Sequence, residues 1–149
     1  MQIDQKRLSG LGAGPAKLSF VTRVEAEPGT GLVPLYHFTI IGENGKKAGH
    51  INFKTGSTEH ILQYAGHIGF NVTEEYRGRS YAYWACIAIA PLVRSVYNEV
   101  IITCNPDNTA SRKTIEKLPA TFLDEVVVPV NDPAYASGSR IKRRYAWIP

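Results

Sequence analysis

Apolar and polar residues alternate through the first half of the chain, and a period of two predicts strands. Leu18 to Ala26 reads as one strand, with Phe20, Thr22, Val24 and Ala26 on a shared face. Leu35 to Ile41 reads as a second, with Tyr36, Phe38 and Ile40 together. Between them, Glu27 to Pro34 is broken by Pro and Gly into a loop. Asn44-Gly45 is the strongest short hairpin signal in the chain, so Lys47 to Phe53 is the returning strand. Thr55 to His60 is a polar loop. From about Gln63 to Val72 a further strand is expected, in which Ile68, Phe70 and Val72 alternate with His67, Gly69 and Asn71.

The pattern then changes period. From Tyr81 to Asn98 almost every residue is apolar until Arg94, which predicts a helix buried on all sides. Pro91 removes one backbone hydrogen bond and is expected to kink it. Val100 to Cys104 is a short continuous apolar run. It reads as a buried strand parallel to the one before the helix, making a right-handed βαβ unit. Asn105-Pro106-Asp107-Asn108 supplies helix-capping residues. Thr109 to Leu118 follows as a short helix with Ala110, Ile115 and Leu118 inward. Ala120 to Val130 and Ile141 to Ile148 read as two closing strands, joined by a long connection from Asn131 to Ser139. Residues 1–16, rich in Gly and polar groups, are expected as a loose arm. The fold class is α/β (α+β), with a mixed, mostly antiparallel central sheet in one domain over residues 1–149.

Composition narrows the setting. No run is long and apolar enough to cross a bilayer, and the N-terminus lacks the apolar stretch of a signal peptide. Cys86 and Cys104 both sit in apolar surroundings, so buried thiols in a reducing, cytoplasmic compartment are expected rather than a disulfide or metal site. The four His residues show no metal-ligand spacing with the cysteines, so no metal is expected. The net charge of +4 is compatible with an anionic ligand. Nucleic acid is not expected as a partner, nor is a membrane. The one basic cluster, Arg140 to Arg144, reads first as an alternating C-terminal strand.

The candidate chemistry lies where the Gln63-to-Val72 strand meets the apolar helix. Thr73-Glu74-Glu75-Tyr76 turns into Arg77-Gly78-Arg79-Ser80, and the helix starts at about Tyr81. A strand running through a small, basic turn into a helix N-terminus offers free backbone N–H groups and a favourable dipole to an anion. Arg77 and Arg79 add positive charge. The turn reads as a cradle for a pyrophosphate. Its plainer alternative is a loop that only caps the buried helix.

With Arg77-Gly78-Arg79-Ser80-Tyr81-Ala82 inside this order of elements, the sequence resembles the GCN5-related N-acetyltransferase (GNAT) superfamily. Those proteins carry an Arg/Gln-x-x-Gly-x-Gly/Ala turn. Arg77 and Ala82 match its first and last positions, and Ser80 stands where Gly is usual. The match extends to Gly66-His67-Ile68-Gly69-Phe70 before the turn. After it come Asn108 to Ser111 and Glu116-Lys117-Leu118, which look like the branch that includes ribosomal-protein N-terminal acetyltransferases. Pro119 replaces a usual Gly. The resemblance runs from Leu35 to the C-terminus. It implies an acetyl-CoA-dependent N-acetyltransferase acting on a primary amine, with no metal. The pantetheine would pair with the backbone of Phe70, Asn71 and Val72 like an added strand. The pyrophosphate would sit on the N–H groups of Gly78, Arg79, Ser80, Tyr81 and Ala82. Asn108 and Ser111 would face the cofactor, and Arg112 would help hold its 3′-phosphate. Helix capping and a solvated helix face are the plainer readings of these three.

The resemblance implies direct attack of the amine on the thioester, with a base for the ammonium and an acid for the thiolate. The Tyr that often serves as the acid is absent, because its position holds Ile115. Candidates for proton handling are His67 and Glu75, with His60 and Tyr97 behind them. For His67 a hydrogen-bonded structural role is the alternative, and for Glu75 a solvated turn. The family's pair of roof helices between the first two strands has no room in Glu27 to Pro34. The acceptor site is therefore open, or completed by Thr55 to Gln63, by Asn131 to Ser139, by the strand with Arg140, Arg143 and Arg144, or by a second subunit in a homodimer. Two other readings remain: a non-catalytic acyl-CoA-binding module of the same fold, and a small basic nucleic-acid-binding domain.

Overall fold

The computed structural model describes residues 3–149. Its strands are β1 (Gly12–Ala13), β2 (Ala16–Val24), β3 (Leu35–Ile41), β4 (Lys47–Lys54), β5 (Ile68–Val72), β6 (Val100–Cys104), β7 (Thr121–Val127) and β8 (Ile141–Trp147). Its helices are α1 (Tyr81–Arg94), α2 (Thr109–Lys117) and α3 (Pro133–Ala136). The strands form two antiparallel sheets, one in the order β1-β2-β3-β4-β5 and one in the order β6-β8-β7.

Alternation fixes which face of the larger sheet is buried. Tyr36, Phe38 and Ile40 of β3 and Ile51 and Phe53 of β4 are almost fully enclosed, and all lie on the side of α1. The Asn44-Gly45 turn forms as expected, with Gly45 at a φ of 79° and Asn44 Oδ1 accepting from the Lys46 N–H. In β2 the expected face holds only as far as Phe20. The pairing register shifts between Phe20 and Thr22, so the strand changes phase there. Thr22 and Val24 are thereby exposed, Ala26 lies beyond the strand, and Arg23 turns in to donate to the Tyr36 hydroxyl.

Helix α1 is as apolar as expected, with Ala85, Cys86, Ala88, Ile89, Leu92 and Val93 buried. It ends four residues early, at Arg94, where Ser95 Oγ donates to the Leu92 carbonyl. It is not enclosed on all sides as expected, since Trp84 and Ile87 are half-buried and Pro91 and Arg94 exposed along one stripe, and residues 3–16 cover part of what the sheet leaves open. They pack as a capped turn, Gln5–Leu8, and a short hairpin, instead of forming the expected loose arm. Leu8 is buried, and Gly14 at a φ of 52° lets the hairpin lie directly on the Trp84 ring. In α2, Ile115 and Leu118 point inward as expected, whereas Ala110 is exposed beside the cleft described below.

The expected strand from Gln63 is shorter than its apolar pattern suggested. His60–Ala65 is a π-helical turn closed by the Gly66 N–H on the Ile61 carbonyl at 2.7 Å, and only Ile68–Val72 is strand. Nor does β6 pair along β5. The two sheets meet where the His67 N–H donates to the Ile101 carbonyl at 2.7 Å and the Ile101 N–H donates to His67 Nδ1 at 3.0 Å. Past that point β5 and β6 belong to separate sheets, and the outer edge of β5 is left unpaired. Gly66 makes the approach possible. At its φ of 73°, an added Cβ would lie 3.0 Å from the Ile101 carbonyl oxygen and 3.1 Å from the Thr103 nitrogen.

Gly66→Ala adds both left-handed strain and a backbone clash, and it is expected to lower the unfolding free energy by about 2–3 kcal/mol. Urea unfolding of the variant checks this; an unchanged midpoint would contradict the role given to the junction.

Candidate active site

The gap left between β5 and β6 opens into a cleft of about 330 Å³. Phe70, Asn71 and Val72 of β5 line one side, Arg77 and Ala82 the turn and the first turn of α1, and Asn108, Ala110, Ser111 and Thr114 the α2 side. Seven residues singled out from sequence thus meet around one space: Phe70, Asn71, Val72, Arg77, Ala82, Asn108 and Ser111.

The turn itself is built to present N–H groups. Gly78 and Ser80 have φ values of 80° and 61°, and such left-handed residues rotate successive N–H groups to one side. Among the described residues, the N–H groups of residues 78–83 find no protein acceptor, and Trp84 is the first bonded, to the Ser80 carbonyl at 3.0 Å. Arg77 Nε is anchored on the Val72 carbonyl at 3.1 Å. Arg79 lies over the Tyr76 ring, with its side chain outside the cleft. Tyr81 offers only its N–H, because its buried ring packs on Tyr76 and its hydroxyl accepts from the Glu43 N–H at 3.1 Å. Asn108 Oδ1 caps α2 by accepting from the Ser111 N–H at 3.2 Å. Arg112 lies outside the cleft lining and faces Glu116 at 3.9 Å.

Sequence reasoning passed over one cation here. Lys117 sits in the last turn of α2, with its ammonium 3.4 Å from Ser80 Oγ and 4.3 Å from the centre of the Tyr83 ring. Its position one helical turn after Thr114, on the face of α2 toward the turn, was the available signal.

The two residues expected to handle protons do not line the cleft. His67 is 2% exposed, and its Nδ1 is taken up by the Ile101 N–H. Its Nε2 is buried without a hydrogen-bond partner, and burial pushes the imidazole below its ordinary pKa. This is the hydrogen-bonded structural role, at the join of the sheets. Glu75 is exposed on the turn Glu74–Tyr76 and lines none of the cleft. Tyr97 packs against His67 and Phe53.

A second cavity, of about 270 Å³, lies on the opposite side of the larger sheet. Its walls are the end of β2, the loop of residues 25–34 and the π-helical turn, with Lys54 in its lining. These walls all come from this one chain. Val24, Ala26, Leu32, Val33, Leu35 and Ile61 make the cavity largely apolar, and Lys54, His60, Glu25 and Glu27 are its charged or titratable members. The Lys54 ammonium lies over Gly69, 3.2 Å from where a Cβ on that residue would be. His60 Nδ1 donates to Asp132 Oδ2 at 2.9 Å, and both side chains are nearly buried. Asp132 also caps α3, accepting from the Ala134 N–H at 2.9 Å. Two of the segments expected to close the acceptor side, 55–63 and 131–139, therefore converge with the loop of residues 27–34 on His60 and Asp132.

Residues 17–121 match the family model of the acetyltransferase (GNAT) domain. The match covers more than half of the chain, which belongs to the GNAT acetyltransferase family. A GNAT-family acetyltransferase from Bacillus anthracis superposes with a TM-score of 0.58 at 23% identity, covering 75% of this chain and 65% of its own. The ribosomal-protein alpha-N-acetyltransferase RimL, in an apo form, gives 0.58 at 18%, over 76% and 69%. The self-immunity acetyltransferase MccE, in complex with acetyl-CoA and AMP, gives 0.58 at 17%, over 77% and 61%. The chain thus spans less than two thirds of the Bacillus anthracis and MccE proteins. At these identities the likeness is one of fold. No curated protein sequence matches the chain.

Two physical consequences are measurable. Ser80 and Pro119, which replace glycines of the family pattern, are the two non-glycine residues with positive φ among those described, at 61° and 32°. Ser80→Gly is expected to stabilise the protein by about 0.5–1 kcal/mol in chemical unfolding, since Gly adopts that conformation without strain. Burial holds Lys54 at a pKa of about 8, against 10.5 for an exposed lysine, with the nearby Lys142 charge adding to the effect. Between those values the unfolded chain binds the extra proton, so Lys54 makes stability rise from pH 8 to 10.5 and costs most below pH 8. Lys54→Met is therefore expected to stabilise the protein by about 2 kcal/mol at pH 7. Unfolding at pH 7 and above pH 10.5 checks this, and the gain should be largely gone at the higher pH.

Proposed function

We propose that the protein is an acetyl-CoA-dependent N-acetyltransferase. The observation that carries the reading is the run of N–H groups at residues 78–83 without protein acceptors, next to the unpaired edge of β5 and the cleft between them. Free N–H groups at a helix N-terminus suit a pyrophosphate, with Lys117 and Arg77 adding charge, and a strand edge suits the amides of a pantetheine arm. Acetyl-CoA would supply an acetyl thioester, and family membership supports that donor. The non-catalytic alternative explains the cleft but not a second cavity reaching β5 from the far side of the sheet. A nucleic-acid role fits poorly with the C-terminal strand, since Arg143 and Arg144 are paired with Glu125 and Asp124.

The acceptor amine would enter through the cavity beside Lys54. Its nitrogen forms a bond to the thioester carbonyl carbon, the carbon–sulfur bond breaks, and the thiolate leaves. With Nδ1–H held by Asp132, Nε2 is the His60 ring nitrogen that would take the proton from the amine. The departing thiolate takes its proton from solvent, as no Tyr occupies the Ile115 position.

CoA is expected to raise the melting temperature, by an amount corresponding to about 2.7 kcal/mol at a hundredfold excess over Kd, and dephospho-CoA to do so less. No shift at millimolar CoA would remove the reading. His60→Gln is expected to lower kcat by about a hundredfold with CoA binding unchanged, measured as release of the CoA thiol.

A further inference from the structure

Gly69 leaves a gap in β5 between the cleft and the apolar cavity. Its neighbours Ile68 and Phe70 pack on the core side. Gly69 itself pairs with Asn52 of β4, and Lys54, the second residue after Asn52, shares that outer face. No side chain at Gly69 therefore separates the strand backbone from the lysine. Apart from chain neighbours, Lys54 Nζ is the one heavy atom of the described residues within 4 Å of where a Cβ on Gly69 would stand, at 3.2 Å. The same lysine lines the cavity of about 270 Å³. Among the described residues, its ammonium enters no hydrogen bond or ion pair.

The length of the donor brings its reactive end to the same place. The free N–H groups of residues 78–83, past the Val72 end of β5, would hold the pyrophosphate. A pantetheine arm paired along the free edge then runs back from Val72 toward Gly69. About nine bonds separate its first amide carbonyl carbon from the acetyl carbonyl carbon, equal to about three extended residues or roughly 10 Å. That is the stretch of β5 from Val72 to Gly69. Further travel is closed off, because β5 and β6 rejoin at the bonds between His67 and Ile101. The thioester thus stops beside Gly69, with the Lys54 amine across the gap.

Resting on the acetyltransferase reading, we propose that Lys54 is a self-acetylation site: with no acceptor in the cavity, its amine takes the acetyl group from bound acetyl-CoA. Lys54 Nζ, neutral after losing one proton to water, forms a bond to the thioester carbonyl carbon. The carbon–sulfur bond breaks, the nitrogen gives a second proton to water, and the thiolate takes one back. Burial holds the Lys54 pKa at about 8, so roughly a tenth of the side chain is neutral at pH 7. The product is an amide, without charge and without a nucleophilic nitrogen. The reaction therefore stops after one acetyl group, which stays where the acceptor amine would enter. In the absence of an acceptor, acetyl-CoA would in this way close the acceptor side.

The test incubates the full chain with acetyl-CoA and no added amine, and follows intact mass, peptide masses and release of the CoA thiol. One acetyl group should appear on Lys54 with one equivalent of thiol, about tenfold or more faster than on the exposed Lys46, Lys47 and Lys113. At fixed acetyl-CoA, the rate per molecule should not change when the protein is diluted about tenfold, since the step lies within one chain. CoA in about tenfold excess over acetyl-CoA should slow it about tenfold, because both occupy one cleft. Gly69→Ala sets a methyl group against the ammonium. It should slow Lys54 acetylation about tenfold or more, with the CoA-induced rise in melting temperature unchanged. Lys54→Arg should lose the fast equivalent of thiol. The proposal is overturned if Lys54 stays unmodified while CoA raises the melting temperature, or if Lys54 reacts no faster than the exposed lysines. It is equally overturned if the rate per molecule rises with protein concentration, if excess CoA leaves it unchanged, or if Gly69→Ala reacts as fast as the parent. No rise in melting temperature with CoA would instead remove the acetyltransferase reading, and the proposal with it.

Discussion

The pair of hydrogen bonds between His67 and Ile101 is the constraint on which the molecule depends. Two antiparallel sheets are complete in themselves, and nothing in their ladders joins them. Gly66 brings the backbones close enough for one main-chain bond, and the His67 ring takes up the next N–H of β6. A longer ladder would zip β5 to β6 and close the gap. A weaker contact would leave the sheets unregistered, and the cleft would have no fixed width. His67 is therefore buried, neutral and saturated at Nδ1, which suits a strut and not a proton carrier.

The gap gives β5 two working sides. Its free edge and the N–H-rich turn face the cleft where Asn108 and Ser111 approach from α2. Its outer face, at Gly69, lies under the Lys54 ammonium at the floor of the apolar cavity. In the proposed function, donor and acceptor would lie on opposite sides of one strand, each beside a different kind of electrostatics. The donor side would use backbone dipoles, which cost little to bury because they are already fixed by the helix. The acceptor side would offer a single ammonium, that of Lys54, beside an apolar wall.

Much of this was legible in the sequence. The alternation in β3 and β4, the Asn44-Gly45 hairpin and the apolar stretch of α1 each carried a local signal strong enough to survive tertiary context. The cleft beside the turn was legible for the same reason. Phe70 to Ala82 is one continuous segment whose strand, turn and helix each have their own pattern, and Asn108 and Ser111 sit at a recognisable cap. Departures at Ser80 and Pro119 were visible as letters, but only the backbone shows that both fall at left-handed positions, where glycine is free of strain.

What the sequence determined by itself is whatever depends on neighbours in the chain: strand and helix periods, turns, caps and the phosphate-type turn. What the tertiary structure decided depends on residues far apart. The phase change in β2 follows from its pairing with β3, and the packing of residues 3–16 follows from the need of α1 for cover. The pairing of His60 with Asp132 spans 72 positions, and the bond from Arg144 Nε to the Leu62 carbonyl spans 82. No local pattern marks such pairs. They exist because the sheets are held at one point and splay beyond it, and that geometry is a property of the whole fold.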